Sequence, residues 1–192
     1  MNRRTAEESK ESIIEAAVKV FSEKGYSQTT IREVAREAGI SVGGVYIYFK
    51  NKEGLYATLL KYLLKDFTDR TKETIKDMSD PADALYAFIA MNLKYARRYK
   101  GIIITEGRDR GFKSCLDVKK RFFKKQRKLI EDIIKTGMTS GKFKECNVKT
   151  AAMVIIGILR GFVFSLLIDS TALYSSGDCS NIILNGLLRR KE

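Results

Sequence analysis

The 192-residue sequence contains no histidine and only one proline. Without histidine the chain can form neither a Ser-His nor a Cys-His dyad, and no imidazole can bind a metal ion. The sequence also shows no glycine loop of the phosphate-cradling type and no cluster of metal-binding residues. We therefore predict that the chain is not an enzyme and has no catalytic residue, no cofactor and no metal site.

The three cysteines, Cys115, Cys146 and Cys179, are widely separated and form no CxxC pair. This spacing favours ordinary reduced thiols, with a redox-sensing or intersubunit role as the alternative. The amino-terminal stretch MNRRTAEESKES is too polar for a secretory signal peptide. We therefore expect a cytoplasmic protein.

Helices are the regular structure that the sequence predicts, because apolar residues recur at helical spacing almost throughout. The chain is long enough for a small head on a larger body. The formal net charge is +13, but residues 1–60 carry nine Lys or Arg against eight Asp or Glu, whereas residues 61–192 carry 27 against 15. A nucleic-acid-binding head would therefore depend on a few well-positioned basic side chains. The charge of the body needs a separate explanation.

A helix-turn-helix pattern begins at Thr30, which forms a capping box with Glu33. The apolar face of the first helix consists of Ile31, Val34, Ala35 and Ala38. Gly39 supplies the turn that ends this helix, and Ser41 is a suitable N-cap for the second. The second helix contains two glycines, each costing about 1 kcal/mol relative to alanine. Their absent side chains would let the helix approach deep into a major groove about 12 Å wide.

The run TTIREVAREAGISVGGVYIYFKNKEGL resembles the signature of the DNA-binding domain of the TetR family of bacterial transcription regulators. The resemblance covers about the first 60 residues, with the threonine pair, AREAGIS, VYIYF and KNKEGL in the family's order and spacing. It implies a three-helix DNA-binding head at residues 1–52. A helical effector-binding and dimerisation domain would follow at residues 53–192, making an all-α protein of about nine helices.

The second helix of the motif is the expected recognition helix. We predict DNA contacts from Thr30, Ser41, Val42, Gly43, Gly44, Tyr46, Tyr48, Lys50 and Lys52. The resemblance implies that both tyrosines and Lys52 contact the DNA backbone, whereas packing in the core is the alternative for each tyrosine and the expectation for Phe49. Since Tyr46 and Tyr48 lie two residues apart, we expect one to face DNA and the other to pack partly in the core. Val42 and Ile47 stand where the family more often has polar residues, which favours readout through thymine methyls and DNA shape.

The body is predicted to contain long helices. The first begins after the cap Asn51 and runs to about Met78, and others cover residues 82–99, 113–139, 151–168 and about 180–190. The glycine-bounded segment 101–111 between two of them is interpreted as a connector able to shift.

The first half of the 113–139 helix is strongly basic. A solvated helix face is one interpretation, and an anion site for an amphipathic effector is the other. For that effector we predict contacts from Tyr95, Arg98, Arg108, Phe122, Phe123, Arg160 and Phe164. The sequence is similar to the fatty-acid-metabolism branch of the TetR family, which implies a long-chain acyl-CoA thioester as the effector.

The stretch AAMVIIGILRGFVFSLLI, residues 151–168, has one charge in eighteen residues. A membrane-spanning helix needs about 20 apolar residues, so we favour a helix buried by its own domain and by a second copy of the chain. The predicted dimer interface consists of Ile155, Gly157, Gly161, Phe162, Ile183 and Leu187.

Together these observations predict a homodimeric, ligand-responsive repressor that binds palindromic double-stranded operator DNA and is released by a small amphipathic effector, without membrane association. The alternative is a basic helical protein that binds polyanions or membranes without specificity.

Overall fold

The computed structural model describes residues 5–102, 113–168 and 175–187. The described ranges contain eight helices of seven residues or more, and the predicted all-α fold is confirmed. They are α1 (Ala6–Gln28), α2 (Ile31–Ala38), α3 (Val42–Tyr48), α4 (Lys52–Ile75), α5 (Pro81–Arg98), α6 (Lys113–Thr139), α7 (Val148–Ile168) and α8 (Ser176–Leu187).

The chain forms two compact units. The first contains residues 1–65 and 99–118, and the second contains residues 66–98 and 119–192. Packing thus assigns the first turns of α4 to the same unit as α1 to α3. A functional boundary after residue 52 stays a prediction.

The core of the first unit is closed by three aromatic rings. Phe21 and Tyr26 stack with their centroids 5.9 Å apart, and Tyr56 of α4 meets both rings edge-on at 5.2 and 5.0 Å. Tyr26 follows Gly25, whose φ of 74° interrupts the helical path near the end of α1. Glycine tolerates this positive φ without a Cβ penalty, so the chain can turn at this point within the range of α1.

The start of α4 is fixed by Asn51, whose Oδ1 accepts a hydrogen bond from the Gly54 N–H at 2.8 Å. The helix ends at Ile75, three residues before the predicted Met78, and has a length of roughly 36 Å at 1.5 Å per residue. Leu55, Leu59 and Leu63 of this helix are buried, whereas the side chain of Tyr62 is exposed.

The segment that follows α5 is anchored where it begins. Ile102 is buried in the core of the first unit, and a Cβ on Gly101 would lie 2.2 Å from the carbonyl oxygen of Ser22. The first residues of the predicted connector are therefore fixed by packing. Its remaining residues lie outside the described part of the chain.

The core of the second unit joins α5, α6, α7 and α8. Phe143, in the loop after α6, fills the space beside Gly137, where a Cβ would approach the ring to 2.1 Å. The backbone N–H of Lys144 donates to the Leu187 carbonyl at 3.0 Å, which connects this loop to the end of α8. Helix α8 begins at Ser176, four residues before the predicted start, because Ser175 caps it by accepting a hydrogen bond from the Asp178 N–H.

Candidate DNA-binding and effector sites

The amino-terminal end of α2 is held by a closed set of hydrogen bonds. Thr30 Oγ1 accepts from the Glu33 N–H at 3.2 Å and donates to Glu33 Oε2 at 2.9 Å, while the Thr30 N–H donates to the same oxygen at 2.8 Å. Lys24 of α1 donates to Glu33 Oε1 at 2.5 Å. The bond from Lys24, followed by those from Thr30, lowers the pKa of the Glu33 carboxyl to about 2. The predicted capping box is present, and the Thr30 hydroxyl is already engaged within the chain.

The turn into α3 needs a glycine. Gly39 has a φ of 68° and ends α2 in the left-handed conformation. Ser41 then caps α3, since its Oγ accepts a hydrogen bond from the Gly44 N–H at 3.0 Å. This cap is also why Gly44 suits its position, because a Cβ there would lie 3.3 Å from that oxygen.

Helix α3 has one buried and one exposed face. Val45 lies in the core of the first unit, and Tyr48 packs against that core. The opposite face exposes 37% of Val42, 51% of Tyr46 and 79% of Ile47. Phe49 is buried, as predicted. Tyr46 is therefore the tyrosine of this motif that is open to a partner, and Tyr48 is the one that packs.

Gly43 lies on the exposed side of α3. A Cβ built on it would meet only the Ser41 Oγ, at 3.9 Å, and its φ is not positive. Packing within the chain therefore gives no reason for a glycine at this position. Close approach by a molecule outside the chain would give such a reason.

The two lysines after α3 differ in their surroundings. Lys50 is exposed. Lys52 is half-buried, with its Nζ 3.4 Å from the Ser27 carbonyl oxygen and 4.3 Å from the centroid of the Tyr26 ring. Its ammonium group is thus positioned by the core of the first unit.

In the second unit, three phenylalanines and a tyrosine form a continuous aromatic cluster. Phe67 of α4 contacts Tyr95 of α5 edge-on at 5.0 Å and Phe122 of α6 at 5.5 Å. Phe122 and Phe123 are 5.4 Å apart, and the Arg160 guanidinium of α7 lies 4.0 Å from the Phe123 centroid. Four of the predicted effector residues, Tyr95, Phe122, Phe123 and Arg160, are therefore brought together, and Phe67 is an addition that the sequence reading missed.

A carboxylate lies beside this cluster. Asp66 Oδ2 accepts a 2.5 Å hydrogen bond from the Tyr95 hydroxyl, and Oδ1 accepts a 2.8 Å bond from Arg70 Nε. Burial raises the pKa of Asp66, but the hydrogen bonds from Tyr95 and Arg70 and the nearby Arg98 outweigh it and hold the pKa below its usual value. Asp66, next to the buried Phe67 on α4, thus orients a tyrosine of the cluster.

Two buried polar side chains near the cluster were missed altogether. Gln126 of α6 is 3% exposed and Thr71 of α4 is 1% exposed. Neither the amide atoms of Gln126 nor the hydroxyl of Thr71 has a hydrogen-bond partner in the described part of the chain. An unsatisfied buried polar group costs about 1–3 kcal/mol. Polar residues at single positions of a helix pattern resemble surface residues, so no sequence signal marks them as buried.

The remaining effector predictions are dispersed. Arg98 lines an open cavity of about 620 Å³ together with Lys94 and Arg97. Phe164 is exposed on α7, and Arg108 lies outside the described residues.

The predicted dimer interface needs a correction. Ile155, Ile183 and Leu187 are buried in the core of their own unit, so their side chains face inward. Phe162 is partly buried and packs against that core. Gly157 and Gly161 are exposed, and a Cβ on either would lie in open space. The same surface exposes large apolar side chains, namely Met153, Val154 and Phe164 of α7 and Ile182 of α8.

Helix α7 also meets the length and composition expected of a membrane span. The stretch Val148–Ser165 qualifies, and 17% of it is buried within the chain. A helix covered by a second protein chain passes the same test, so this finding alone is weak evidence for a membrane.

Comparisons with known proteins extend over both units. The model of bacterial regulatory proteins of the TetR family matches residues 13–59, and that of the C-terminal region of YsiA-like proteins matches residues 60–174. The fatty acid metabolism regulator protein of Bacillus subtilis (strain 168) is 31% identical over 152 residues, which cover 77% of each chain.

Solved structures share the fold over nearly the whole length. The transcriptional regulator FadR from Bacillus subtilis, in complex with stearoyl-CoA, is 27% identical with a TM-score of 0.73, covering 91% of this chain and 95% of that one. A TetR transcription regulator from Haloarcula marismortui ATCC 43049 has a TM-score of 0.79 at 21% identity, covering 95% and 100%. The second likeness concerns the fold alone.

Proposed function

The chain belongs to the TetR family of bacterial regulatory proteins, and from this we propose that it is a cytoplasmic homodimeric repressor that binds a palindromic operator. Members of the family are DNA-binding regulators, so the prediction that the chain is not an enzyme is confirmed. We propose that a long-chain acyl-CoA thioester is the effector that releases it from DNA.

The observation that carries the DNA-binding proposal is the exposed face of α3. Tyr46 projects from a helix whose other side is fixed in the core, and Gly43 beside it leaves the backbone accessible. A tyrosine hydroxyl in this position can donate to a phosphate oxygen, while apolar neighbours contact thymine methyls. Two such heads would bind half-sites about one DNA turn apart.

Replacing Tyr46 by Phe tests this assignment. Loss of one hydrogen bond should weaken binding to the intergenic DNA upstream of the gene roughly 3- to 10-fold, with the thermal midpoint unchanged. Tyr86→Phe, at an exposed tyrosine of α5, is the matched control and should leave DNA affinity unchanged. Equal affinity of wild type and Tyr46→Phe would remove Tyr46 from the interface.

The exposed apolar surface of α7 and α8 supports the homodimer. Met153, Val154 and Ile182 would lose water contact against a second copy, and Gly157 and Gly161 would let a partner helix come close. Val154→Asp should shift sedimentation from dimer to monomer. Lys135→Gln, which changes the net charge equally at an exposed position of α6, should remain dimeric. A wild-type chain that sediments as a monomer would refute the homodimer.

The aromatic cluster and its cations support an amphipathic anionic effector. The rings of Phe67, Phe122 and Phe123 offer an apolar surface, and Arg160 at its edge is a cation suited to phosphate. Similar proteins include a regulator of fatty acid metabolism and a structure solved with stearoyl-CoA. By linkage, effector and operator weaken each other's binding by the same factor, because each favours a different conformation.

Stearoyl-CoA should therefore release the protein from the upstream DNA, whereas free coenzyme A at equal concentration should not. Failure of stearoyl-CoA to bind the purified protein would exclude this effector class. The alternative of a nonspecific polyanion- or membrane-binding protein has no support from the comparisons. Equal affinity for random DNA and for the upstream DNA would favour it.

A further inference from the structure

Gln126 and Thr71 are two of the buried polar side chains of the second unit. Gln126 lies between Phe122 and Ile130 on the inner face of α6, one helical turn from each. Thr71 follows Phe67 by one turn on α4. Both side chains are more than nine-tenths buried, and their polar atoms have no partner among the described residues. Buried polar groups of folded proteins are nearly always hydrogen-bonded, so these two side chains are suited to binding a group that the chain itself does not supply.

Thr71 and Gln126 occupy corresponding positions along α4 and α6. Phe67 and Phe122 are in contact, with their centroids 5.5 Å apart. The segments that follow the two helices also meet, because Lys142, after α6, donates to Asp80 Oδ2, after α4, at 2.6 Å, so the two helices run in the same direction. Moving four residues along each helix advances about 6 Å. Thr71 and Gln126 therefore form a polar layer one turn beyond the contact of the two phenylalanine rings.

The chemistry of this layer selects a neutral polar group. An amide and a hydroxyl can satisfy a carbonyl oxygen, whereas a buried phosphate or carboxylate would need a paired cation. One cation of the cluster, the Arg160 guanidinium, lies 4.0 Å from the centroid of the Phe123 ring, which in turn contacts Phe122. A ligand whose charged groups lie near Arg160 and whose apolar chain lies in the core would place the group that joins these two parts beyond the phenylalanine rings.

We propose that Gln126 and Thr71 bind the thioester carbonyl of the effector's acyl chain. Gln126 Nε2 donates to the carbonyl oxygen, and the Thr71 hydroxyl donates to Gln126 Oε1. This inference rests on the proposed acyl-CoA effector and deepens it, because it makes the pair a selector for acyl over alkyl ligands.

The test uses full-length protein, stearoyl-CoA and its thioether analogue S-octadecyl-CoA, which lacks the carbonyl oxygen. The variants are Gln126→Leu and Thr71→Val, which keep the side-chain size. Thr74→Val is the control, at an exposed threonine of α4 whose hydroxyl bonds to the Arg70 carbonyl. The measurements are the dissociation constant of each compound and the thermal midpoint without ligand.

Wild type should bind stearoyl-CoA about tenfold more tightly than the thioether, which corresponds to about 1.4 kcal/mol. Gln126→Leu and Thr71→Val should abolish this preference by weakening the thioester alone, and should raise the midpoint of the free protein because an unpaired polar group has been removed. Thr74→Val should keep the preference.

Three results would overturn the inference. A lower midpoint in both variants means that the two groups are satisfied by each other or by water in the free protein. Equal binding of both compounds by wild type means that no protein group contacts the carbonyl. Binding of neither compound excludes the proposed effector itself, and is distinguished from the other two results because the wild type then shows no affinity at all.

Discussion

The phenol hydroxyl of Tyr56 donates a 2.8 Å hydrogen bond to the carbonyl oxygen of Ile102, 46 residues further along the chain. Both residues are buried in the core of the first unit. Gly101, beside this bond, packs so closely against the Ser22 carbonyl that a side chain could not be accommodated there. The chain segment that leaves α5 is thus fixed to α4 and α1 by one specific polar contact and one close backbone approach.

Tyr56→Phe removes the donor and leaves the Ile102 carbonyl buried without it. We expect a loss of about 1–3 kcal/mol in the free energy of unfolding, measured by urea denaturation. Tyr86→Phe, at an exposed tyrosine, should change it by less than about 0.5 kcal/mol. Equal stability of Tyr56→Phe and wild type would mean that water or another donor satisfies that carbonyl.

Gly43→Ala should separate folding from DNA binding. A Cβ meets no obstacle within the chain, and alanine favours a helix by about 1 kcal/mol over glycine, so the thermal midpoint should rise. Affinity for the upstream DNA should fall, because the added methyl group occupies the space into which a groove wall approaches. A variant with both higher stability and undiminished affinity would show that Gly43 does not face DNA.

Glu33 should be an acid-sensitive cap of α2. Its pKa is lowered to about 2 in the folded chain, against about 4.3 in an unfolded one. The carboxylate therefore stabilises the fold above the unfolded pKa, and this contribution is lost as the pH falls toward 2. NMR titration of the Glu33 side chain should show the low pKa in wild type and a higher one in Lys24→Gln. Lys10→Gln, at an exposed position of α1, the helix that also carries Lys24, should leave the pKa of Glu33 low. An unchanged pKa in Lys24→Gln would show that Lys24 does not act on Glu33.

Gly137→Ala tests the packing of the second unit. The new Cβ would lie 2.1 Å from the Phe143 ring, so the loop that carries the ring must move. Overpacking of this kind costs about 1–3 kcal/mol, measurable by denaturation. Gly137→Ala should cost less free energy of unfolding in a Phe143→Leu background than in the wild type, because the smaller side chain makes room. Strict additivity of the two changes would contradict the contact.

The sequence predicted those parts of the fold that local chemistry determines. Thr30, Ser41 and Asn51 mark helix starts through side-chain hydrogen bonds to nearby N–H groups, and all three caps are present. The buried and exposed faces of α3 could not be separated by periodicity in seven residues with two glycines, although the spacing of Tyr46 and Tyr48 indicated that only one faces outward.

The rest depends on contacts between distant residues. Helix α7 is apolar on all sides, so its pattern does not distinguish the inward Ile155 from the outward Val154. For the same reason the sequence assigned buried residues to the dimer surface. The inward positions of Thr71 and Gln126 follow from how α4 and α6 pack, which no local pattern encodes.

Lys52 illustrates a property that a list of contacts would miss. Its ammonium group rests on the Tyr26 ring and near the Ser27 carbonyl in the free protein, so few of its rotamers are open. A phosphate contact made by this lysine would lose less conformational entropy than one made by the exposed Lys50. Any change that loosens the Tyr26 ring would therefore weaken such a contact through disorder at Lys52, without removing a single charge.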